Sequence, residues 1–199
     1  ICSGQVLQCP YSFEKARLVV REMAEAVALD LLEKKLVTDQ LTLTVGYDIE
    51  NTAGGNFRGE IVTDRYGRKI PKHAHGTIHL KLPTSSARLI MQGAMELYDG
   101  IVDKNLLIRR LYITAEHAME EKKVQKQETY EQLSLFTDYE AVEKEREKEV
   151  KNLEKEKRLQ QAMLDIKKKY GKNAILKGMN LEEGATAIER NRQIGGHKA

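Results

Sequence analysis

The sequence of 199 residues contains no run of 18 or more apolar residues, and its first residues lack the basic-then-apolar form of a secretory signal peptide. These absences exclude a membrane-spanning helix and give no indication of export, so we expect a cytoplasmic protein with no membrane partner. Only two cysteines are present, Cys2 and Cys9, and neither has His or Cys companions at metal-ligand spacing. Free thiols are therefore expected, rather than a disulfide or a metal site.

Apolar residues are also in short supply, at 41% of the chain against 32% charged residues. This composition leaves room for a modest core, so we expect one globular unit with appendages. The chain does not begin with Met. Its start at Ile1 favours a fragment or a processed product.

The net charge of +3 conceals an uneven distribution. Residues 58–88 contain seven Lys or Arg and two acidic residues, a local charge of +5, whereas the rest of residues 1–119 has a net charge of −4. Three histidines lie in the same segment. A basic segment within an acidic module is typical of a surface that binds a phosphate-bearing partner, although an ordinary solvated hairpin is the alternative.

Hydrophobic periodicity predicts the order strand, helix, strand, strand, helix, strand over residues 1–118. Apolar residues alternate in the strands and recur at three- and four-residue steps in the helices. The first helix is expected to have its N-cap at Ser12 and the second at Thr84 or Ser85. The strand candidates are Gly4–Gln8, Leu41–Tyr47, Thr77–Leu82 and Leu107–Ala115, and the helical stripes are Ala16, Val19, Val20, Met23, Val27 and Leu31, then Ile90, Ala94, Leu97 and Ile101.

This order predicts an α+β fold in which a four-stranded antiparallel sheet carries two helices on one face. The other face must then meet solvent or a ligand. In the last strand we expect Ile108, Arg110, Tyr112 and Thr114 to face outward, with Arg109 interrupting the inward set. The candidate nucleic-acid-binding residues are Arg58, Arg65, Arg68, Lys69, Lys72, His75, Thr77, His79, Lys81, Arg88, Arg110 and Tyr112.

A short apolar peptide, residues 132–136, lies between two strongly charged flanks. Neither flank offers an apolar face, so the exposed Leu and Phe side chains predict a partner. A Gln followed by Leu and then Leu-Phe has the form of a peptide that docks on a bacterial sliding clamp. The candidate clamp-binding residues are Gln132, Leu133, Leu135 and Phe136, and the alternative is a helix edge packed on its own domain.

Residues 138–171 are expected to form a long charged helix, because Glu147 and Lys151, for example, stand at a helix-supporting spacing. The second half of this helix has an apolar stripe that should pack on the globular domain, on a second copy or on a domain outside this chain. The stripe consists of Leu159, Met163, Ile166 and Tyr170, and Gly171 is a natural C-cap. Residues 119–137 are then a connector that carries the clamp peptide. Residues 172–199 are expected to be a mostly non-globular tail.

Several stretches resemble the C-terminal "little finger" domain of Y-family DNA polymerases, in the UmuC-like (ImpB/MucB/SamB) branch. They are SGQVLQCPYSFEKARLVVREM, VTDQLTLTVGYD, GRKIPKHAHGTIHL and TSSARLIMQGAMELYDGIV, all within residues 1–118. The tail sequences LKGMNLEEGAT and RNRQIGGHKA resemble the end of such proteins in Gram-positive bacteria. The resemblance implies a sheet whose open face lies against primer–template duplex DNA, a clamp tether, and a role in translesion synthesis, DNA repair and the SOS response.

In that family, the carboxylates that hold two catalytic metal ions belong to a palm domain that precedes the little finger. No part of this chain resembles the palm. We therefore expect the chain to bind DNA and clamp without catalysing nucleotide transfer and without a cofactor of its own. The resemblance implies Mg²⁺ for the parent polymerase.

Three alternatives stay open. An RNA-binding module with this strand order would place aromatic residues on its central strands, where only Tyr112 is a candidate. A coiled-coil interaction scaffold would need sustained heptads, which residues 140–158 lack. An enzyme acting through His73 and His75 would need a nucleophile or a third ligand nearby, and the sequence supplies none at such a spacing.

Overall fold

The computed structural model describes residues 1–55, 57–124, 139–194 and 197–198. Within these residues, no helix is both long enough and apolar enough to cross a membrane. The strands are β1 (Cys2–Tyr11), β2 (Leu36–Tyr47), β3 (Ile61–Thr63), β4 (Lys69–Pro71), β5 (Ala74–Thr84), β6 (Ile108–Glu116), β7 (Met119–Glu120), β8 (Gln193–Ile194) and β9 (His197–Lys198). The helices are α1 (Phe13–Glu33), α2 (Glu50–Ala53), α3 (Ala87–Ile101), α4 (Tyr139–Tyr170) and α5 (Ala187–Arg190), with 3-10 turns at Glu121–Lys123 and Gly178–Leu181.

The central sheet has the strand order β1-β6-β2-β5, and all neighbours are antiparallel. With α1 and α3 this gives β-α-β-β-α-β, so the predicted α+β class and the order of its main elements are confirmed. The strand count was wrong in detail. A fifth strand, β7, pairs with the start of β2, and β3 and β4 form a separate hairpin between β2 and β5.

Alternation along the strands places the core on one face of the sheet. In β2, Leu41, Leu43 and Val45 are almost fully buried and meet the apolar stripe of α1. Helix α3 packs beside α1, and the hydroxyl of Tyr98 donates a buried hydrogen bond of 2.9 Å to the carbonyl oxygen of Phe13. Burial raises the pKa of Tyr98 well above its ordinary value. Both helices therefore cover the same face, and within the described residues no helix lies over the opposite face.

The start of α1 agrees with the sequence prediction, and the start of α3 differs from it. Ser12 is the N-cap of α1, as predicted. The N-cap of α3 is Ser86 rather than Thr84 or Ser85, because the Ser86 hydroxyl oxygen accepts a hydrogen bond from the Leu89 backbone N–H at 3.2 Å. Thr84 instead accepts from the Ser86 N–H at 3.0 Å.

The long helix is confirmed in part, since Tyr139–Tyr170 is helical and Gly171 ends it at a φ of 99°. Its first predicted residue, 138, lies outside the described residues. The predicted packing stripe was correct at Met163, which is buried, and wrong at its other positions: Leu159 and Tyr170 are 63% and 67% exposed, and Ile166 is also exposed. The residues that α4 buries are Gln160, Met163 and Leu164.

Helix α4 packs against the outer side of α1. Leu164 joins Leu29 and Leu32 in a small apolar cluster, and Lys168 pairs with Glu33 at 3.0 Å. Since α1 lies between the sheet and α4, the protein has three layers at this point.

The tail was expected to be mostly non-globular, and the structure contradicts this. Residues 172–194, the tail segment, fold back onto α1 and bury Met179, Asn180 and Ala187. Their anchor is Glu22 of α1, which is only 2% exposed. Hydrogen bonds, rather than a large apolar surface, hold the tail segment, and an apolar pattern could not reveal them.

Candidate nucleic-acid interface

The uncovered side of the sheet, called the open face here, is built from alternate residues of four strands. The register sets Tyr112 between Gly4 and Thr44, and sets Thr44 next to His75. A parallel row contains Cys2, Thr114, Thr42 and Thr77. Apart from Tyr112 and His75, the side chains in the centre of the open face are therefore small and neutral.

Side-chain hydrogen bonds between strands fix this centre. The hydroxyls of Thr42 and Thr77 are 3.0 Å apart, and the hydroxyl of Thr44 lies 2.9 Å from Nδ1 of His75. Such cross-strand pairs orient each polar group without introducing charge. Thr42 and Thr44 were missing from the candidate binding residues, although the neutral polar positions of β2 were visible in its alternation.

The two ends of the open face differ in charge. At one end Glu116 accepts a hydrogen bond from Gln40 at 2.7 Å, and Asp39 lies 3.2 Å from the ring of His117. At the other end the face carries Arg110. A polyanion is therefore favoured toward the Arg110 end and disfavoured toward the Glu116 end.

A β-bulge brings two arginines to the Arg110 end. The register of β2 against β6 shifts between Gly46 and Tyr47, which leaves Arg109 unpaired in the ladder. Arg109 lies 3.8 Å from the carboxylate of Asp48. The shift also corrects the prediction for Ile108, which is fully buried rather than outward-facing.

Two glycines let long side chains lie flat on the sheet. A Cβ at Gly4 would stand 2.7 Å from the Tyr112 ring, and one at Gly46 would stand 3.1 Å from the Cβ of Arg110. The Tyr112 ring therefore covers the backbone of β1, and the Arg110 stem crosses β2. Tyr112 is still 41% exposed, so one side of its ring is available to a ligand.

The β3–β4 hairpin presents a basic tip beside the open face. Asp64 closes its turn by accepting hydrogen bonds from the backbone N–H groups of Tyr66 and Arg68, both at 2.9 Å. The Arg68 guanidinium donates to the same carboxylate at 2.8 Å and lowers the pKa of Asp64 to about 2. The guanidinium of Arg65 lies 4.8 Å from the centre of the Tyr66 ring.

A cavity of about 600 Å³, the hairpin cleft, separates this hairpin from the open face. Arg68, Arg109, Arg110 and His73 line it together with Tyr112. Sequence reasoning placed Arg109 and His73 outside the candidate binding residues. The bulge that exposes Arg109 has no sequence signal beyond the interrupted alternation.

The other predicted residues are placed as follows. Arg58 is exposed before the hairpin, Lys69 is exposed on its strand β4, and Lys72 pairs with Glu60 at 2.9 Å. His79 and Lys81 are exposed on β5, farther from Arg110. Arg88 is not on the open face: it lies in the first turn of α3, where it pairs with Glu149 and Glu156 of α4.

The predicted clamp peptide, Gln132, Leu133, Leu135 and Phe136, lies outside the described residues. In the part of the chain that the structure does describe, no three His, Cys, Asp or Glu side chains are grouped so that they could hold a metal ion. The expectation that this chain does not catalyse nucleotide transfer stays a prediction from the sequence.

Comparison with known proteins gives two matches. The model of the impB/mucB/samB family C-terminal domain matches residues 2–135. Over 197 residues, 98% of this chain, the sequence is 25% identical to UvrX of Bacillus subtilis (strain 168), which is named as a UV-damage repair protein. The chain spans only 38% of the length of that relative.

Proposed function

The chain belongs to the impB/mucB/samB family through its C-terminal domain, and we propose that its open face and its β3–β4 hairpin bind the duplex of a DNA primer–template. The observation that carries the proposal is the uncovered face itself. Its four strands display hydroxyl, imidazole and guanidinium groups in register, whereas the opposite face is packed with apolar side chains.

The arrangement suits binding without sequence preference. Arg110, with the hairpin residues Arg65 and Lys69, supplies cations at one margin for phosphate groups. The hydroxyls of the exposed Thr77 on β5 and the half-buried Thr44 on β2 can contact further phosphate or sugar oxygens, whereas Thr42 is only 9% exposed. The open face is a broad four-stranded surface, too wide to enter a groove and read base edges, so phosphate contacts should dominate affinity.

At the level of the whole protein, we propose the role of a translesion polymerase of the UmuC type. The family is one of DNA-repair polymerases, and UvrX, the relative matched over nearly the whole chain, is named for UV-damage repair. The catalytic palm and its Mg²⁺ ions would belong to a part of the protein other than this chain. This chain would then hold the product duplex.

We also propose that Gln132, Leu133, Leu135 and Phe136 tether the protein to a sliding clamp. The proposal is supported by the apolar form of the peptide within a charged sequence. Both ends of the connector that carries this peptide are attached to the folded domain: Met119, its first residue, pairs with Val37 of β2, and α4, which follows it, packs on α1.

Titration of the 199-residue chain with a fluorescent blunt DNA duplex tests the DNA proposal. Log K should fall linearly with log salt, by about 0.9 per neutralised phosphate, and duplexes of different sequence should bind alike. Replacement of Arg65 and Arg110 by Ala should weaken binding and reduce the slope by about 2. Arg158→Ala is the matched control, because Arg158 is 82% exposed on α4. Affinity that does not depend on salt would contradict the proposal.

An RNA-binding module is the second candidate, because Tyr112 lies on the central strand β6. An RNA duplex in the same titration distinguishes the two. The DNA proposal expects the DNA duplex to bind at least as tightly as its RNA counterpart.

A further inference from the structure

Two cavities meet at Tyr112 on the open face. One is the hairpin cleft. The other, the tail groove, has a volume of about 500 Å³ and lies between β1 and the tail segment. Both are lined by Val6 and Tyr112, so together they form a continuous trough over the β1 side of the sheet.

The hairpin-cleft end of the trough carries cations that are available to a ligand. Arg68 and Arg109 are engaged by Asp64 and Asp48. In contrast, neither Arg110 nor His73 forms an ion pair with another residue that the structure describes. The cleft is also lined by Glu50, whose carboxylate is not paired with any of the lining arginines in the described residues. An anionic group that entered the cleft would find the Arg110 guanidinium and the His73 imidazole without carboxylate partners, with Glu50 disfavouring it elsewhere in the cleft.

The tail-groove end is polar and fixed in shape. The side chains of Gln5, Gln8, Thr186 and Gln193 line it, together with the carboxylate of Glu189, which accepts a hydrogen bond from Gln8 at 3.4 Å. Arg190 closes the groove by donating hydrogen bonds to Gln5 at 3.3 Å and to the carbonyl oxygen of Glu22 at 3.5 Å. Amide groups both donate and accept hydrogen bonds, so this wall can bind the edges of any nucleobase.

Tyr112 stands between the two ends with its ring flat on Gly4. An aromatic ring that is supported on one side and 41% exposed overall is a platform for stacking. Val6, which is 58% exposed beside it, extends the apolar surface.

We propose that this trough binds an unpaired strand of DNA, with a base stacked on Tyr112, a phosphate on Arg110 and neighbouring nucleotides in the hairpin cleft and the tail groove. This inference rests on the proposed function and adds a site for single-stranded nucleic acid that adjoins the duplex-binding surface and shares Arg110 and Tyr112 with it. A duplex is too wide to enter either cavity, whereas an unstacked nucleotide strand fits a narrow trough that combines cations with an aromatic ring.

The test uses the 199-residue chain and three fluorescent probes: an oligothymidylate of about eight nucleotides, an abasic strand of the same length, and a blunt duplex. Tyr112→Ala should weaken oligothymidylate binding by about fivefold to a hundredfold and blunt-duplex binding by a clearly smaller factor, because phosphate contacts dominate duplex binding. Tyr112→Phe, which keeps the ring, should bind like the wild type. The abasic strand should bind the wild type about as weakly as oligothymidylate binds Tyr112→Ala.

Tyr170→Ala is the matched control, because Tyr170 is 67% exposed at the far end of α4. It should change none of the three affinities. Photo-crosslinking with a 4-thiothymine oligonucleotide gives a second readout, and crosslinks are expected in peptides that contain Tyr112 or residues 184–193.

The outcomes separate this inference from the proposed function. If the wild type binds the duplex but not oligothymidylate, or if Tyr112→Ala weakens both probes equally, the inference is overturned and the duplex proposal stands. If the wild type fails to bind the duplex, the proposed function is overturned instead. Crosslinks confined to α4 would also overturn the inference.

Discussion

The carboxylate of Glu156 accepts a hydrogen bond from the backbone N–H of Arg88 at an N···O distance of 2.9 Å. Its other oxygen accepts from the Ser86 hydroxyl at 2.7 Å. A residue of α4 thus completes the N-terminal cap of α3, where unpaired N–H groups favour a negative charge. The Arg88 guanidinium pairs with Glu149 and Glu156 of the same helix. Arg88, the last arginine of residues 58–88, therefore contributes to the packing of α4 on α3 and not to the open face.

The first prediction contrasts Arg88 with Arg110. Arg110→Ala should weaken duplex binding and lower the salt slope by about 1, because it removes one phosphate contact. Arg88→Ala should leave DNA affinity within about twofold of the wild type and reduce the unfolding free energy by at most about 1 kcal/mol, since its ion pairs are partly exposed. Anisotropy titrations and chemical denaturation measure both effects. Equal losses of affinity would contradict the placement of Arg88.

The order of the main elements was predictable because its signals are local. Alternation in β2 and the stripe of α1 are each visible within about ten residues, and the structure confirms both. The inward position of Ile108 was not predictable, because the bulge at Arg109 depends on how β6 pairs with β2.

The packing of α4 and of the tail segment was missed for a different reason. Apolar periodicity selected the buried Met163 but also Leu159 and Tyr170, which are exposed. Besides the apolar contact of Leu164, the helix docks through polar groups such as Gln160, whose amide exchanges hydrogen bonds with the backbone of Ser85 and Ala87. Contacts of one side chain to a distant backbone leave no periodic pattern in the sequence.

The second prediction concerns Glu22 as the anchor of the tail segment. Its carboxylate accepts hydrogen bonds from the side-chain amide of Asn180 at 2.8 Å and from the backbone N–H groups of Thr186 and Ala187 at 2.8 and 3.1 Å. Glu22→Ala would leave these donors without an acceptor. The variant should lose about 2–4 kcal/mol of unfolding free energy, and hydrogen exchange of residues 178–190 should accelerate.

The control for this prediction is Glu33→Ala on the same helix. Glu33 pairs with Lys168 at 3.0 Å but is 44% exposed, so its loss should cost about 0–1 kcal/mol. Similar stability of the two variants, with unchanged exchange in the tail segment, would show that Glu22 is not the anchor.

The third prediction is the titration of Asp64. The hydrogen bond from Arg68 places its pKa at about 2, below the ordinary value of 3.8. Because the folded pKa is lowered, the contribution of this contact to the hairpin turn is complete above the ordinary pKa and is lost as the pH falls toward 2. A carboxyl NMR titration should give a pKa near 2 in the wild type and a higher value in Arg68→Ala. An unchanged pKa in the variant would contradict the assignment.

The last prediction concerns the clamp peptide. If residues 132–136 form a tether, Leu135 and Phe136 are its apolar anchors, and each contributes about 1.5–3 kcal/mol on burial in a partner. Replacing both by Ala should remove most clamp affinity and leave duplex binding and the melting temperature nearly unchanged. Gln132→Ala should cost about 0.5–1.5 kcal/mol of clamp binding, the value of one hydrogen bond. If these side chains were core residues instead, each Ala substitution would destabilise the fold by about 2–5 kcal/mol. A thermal melt of the double variant beside a clamp titration separates the two, because only core residues would produce a large drop in the melting midpoint.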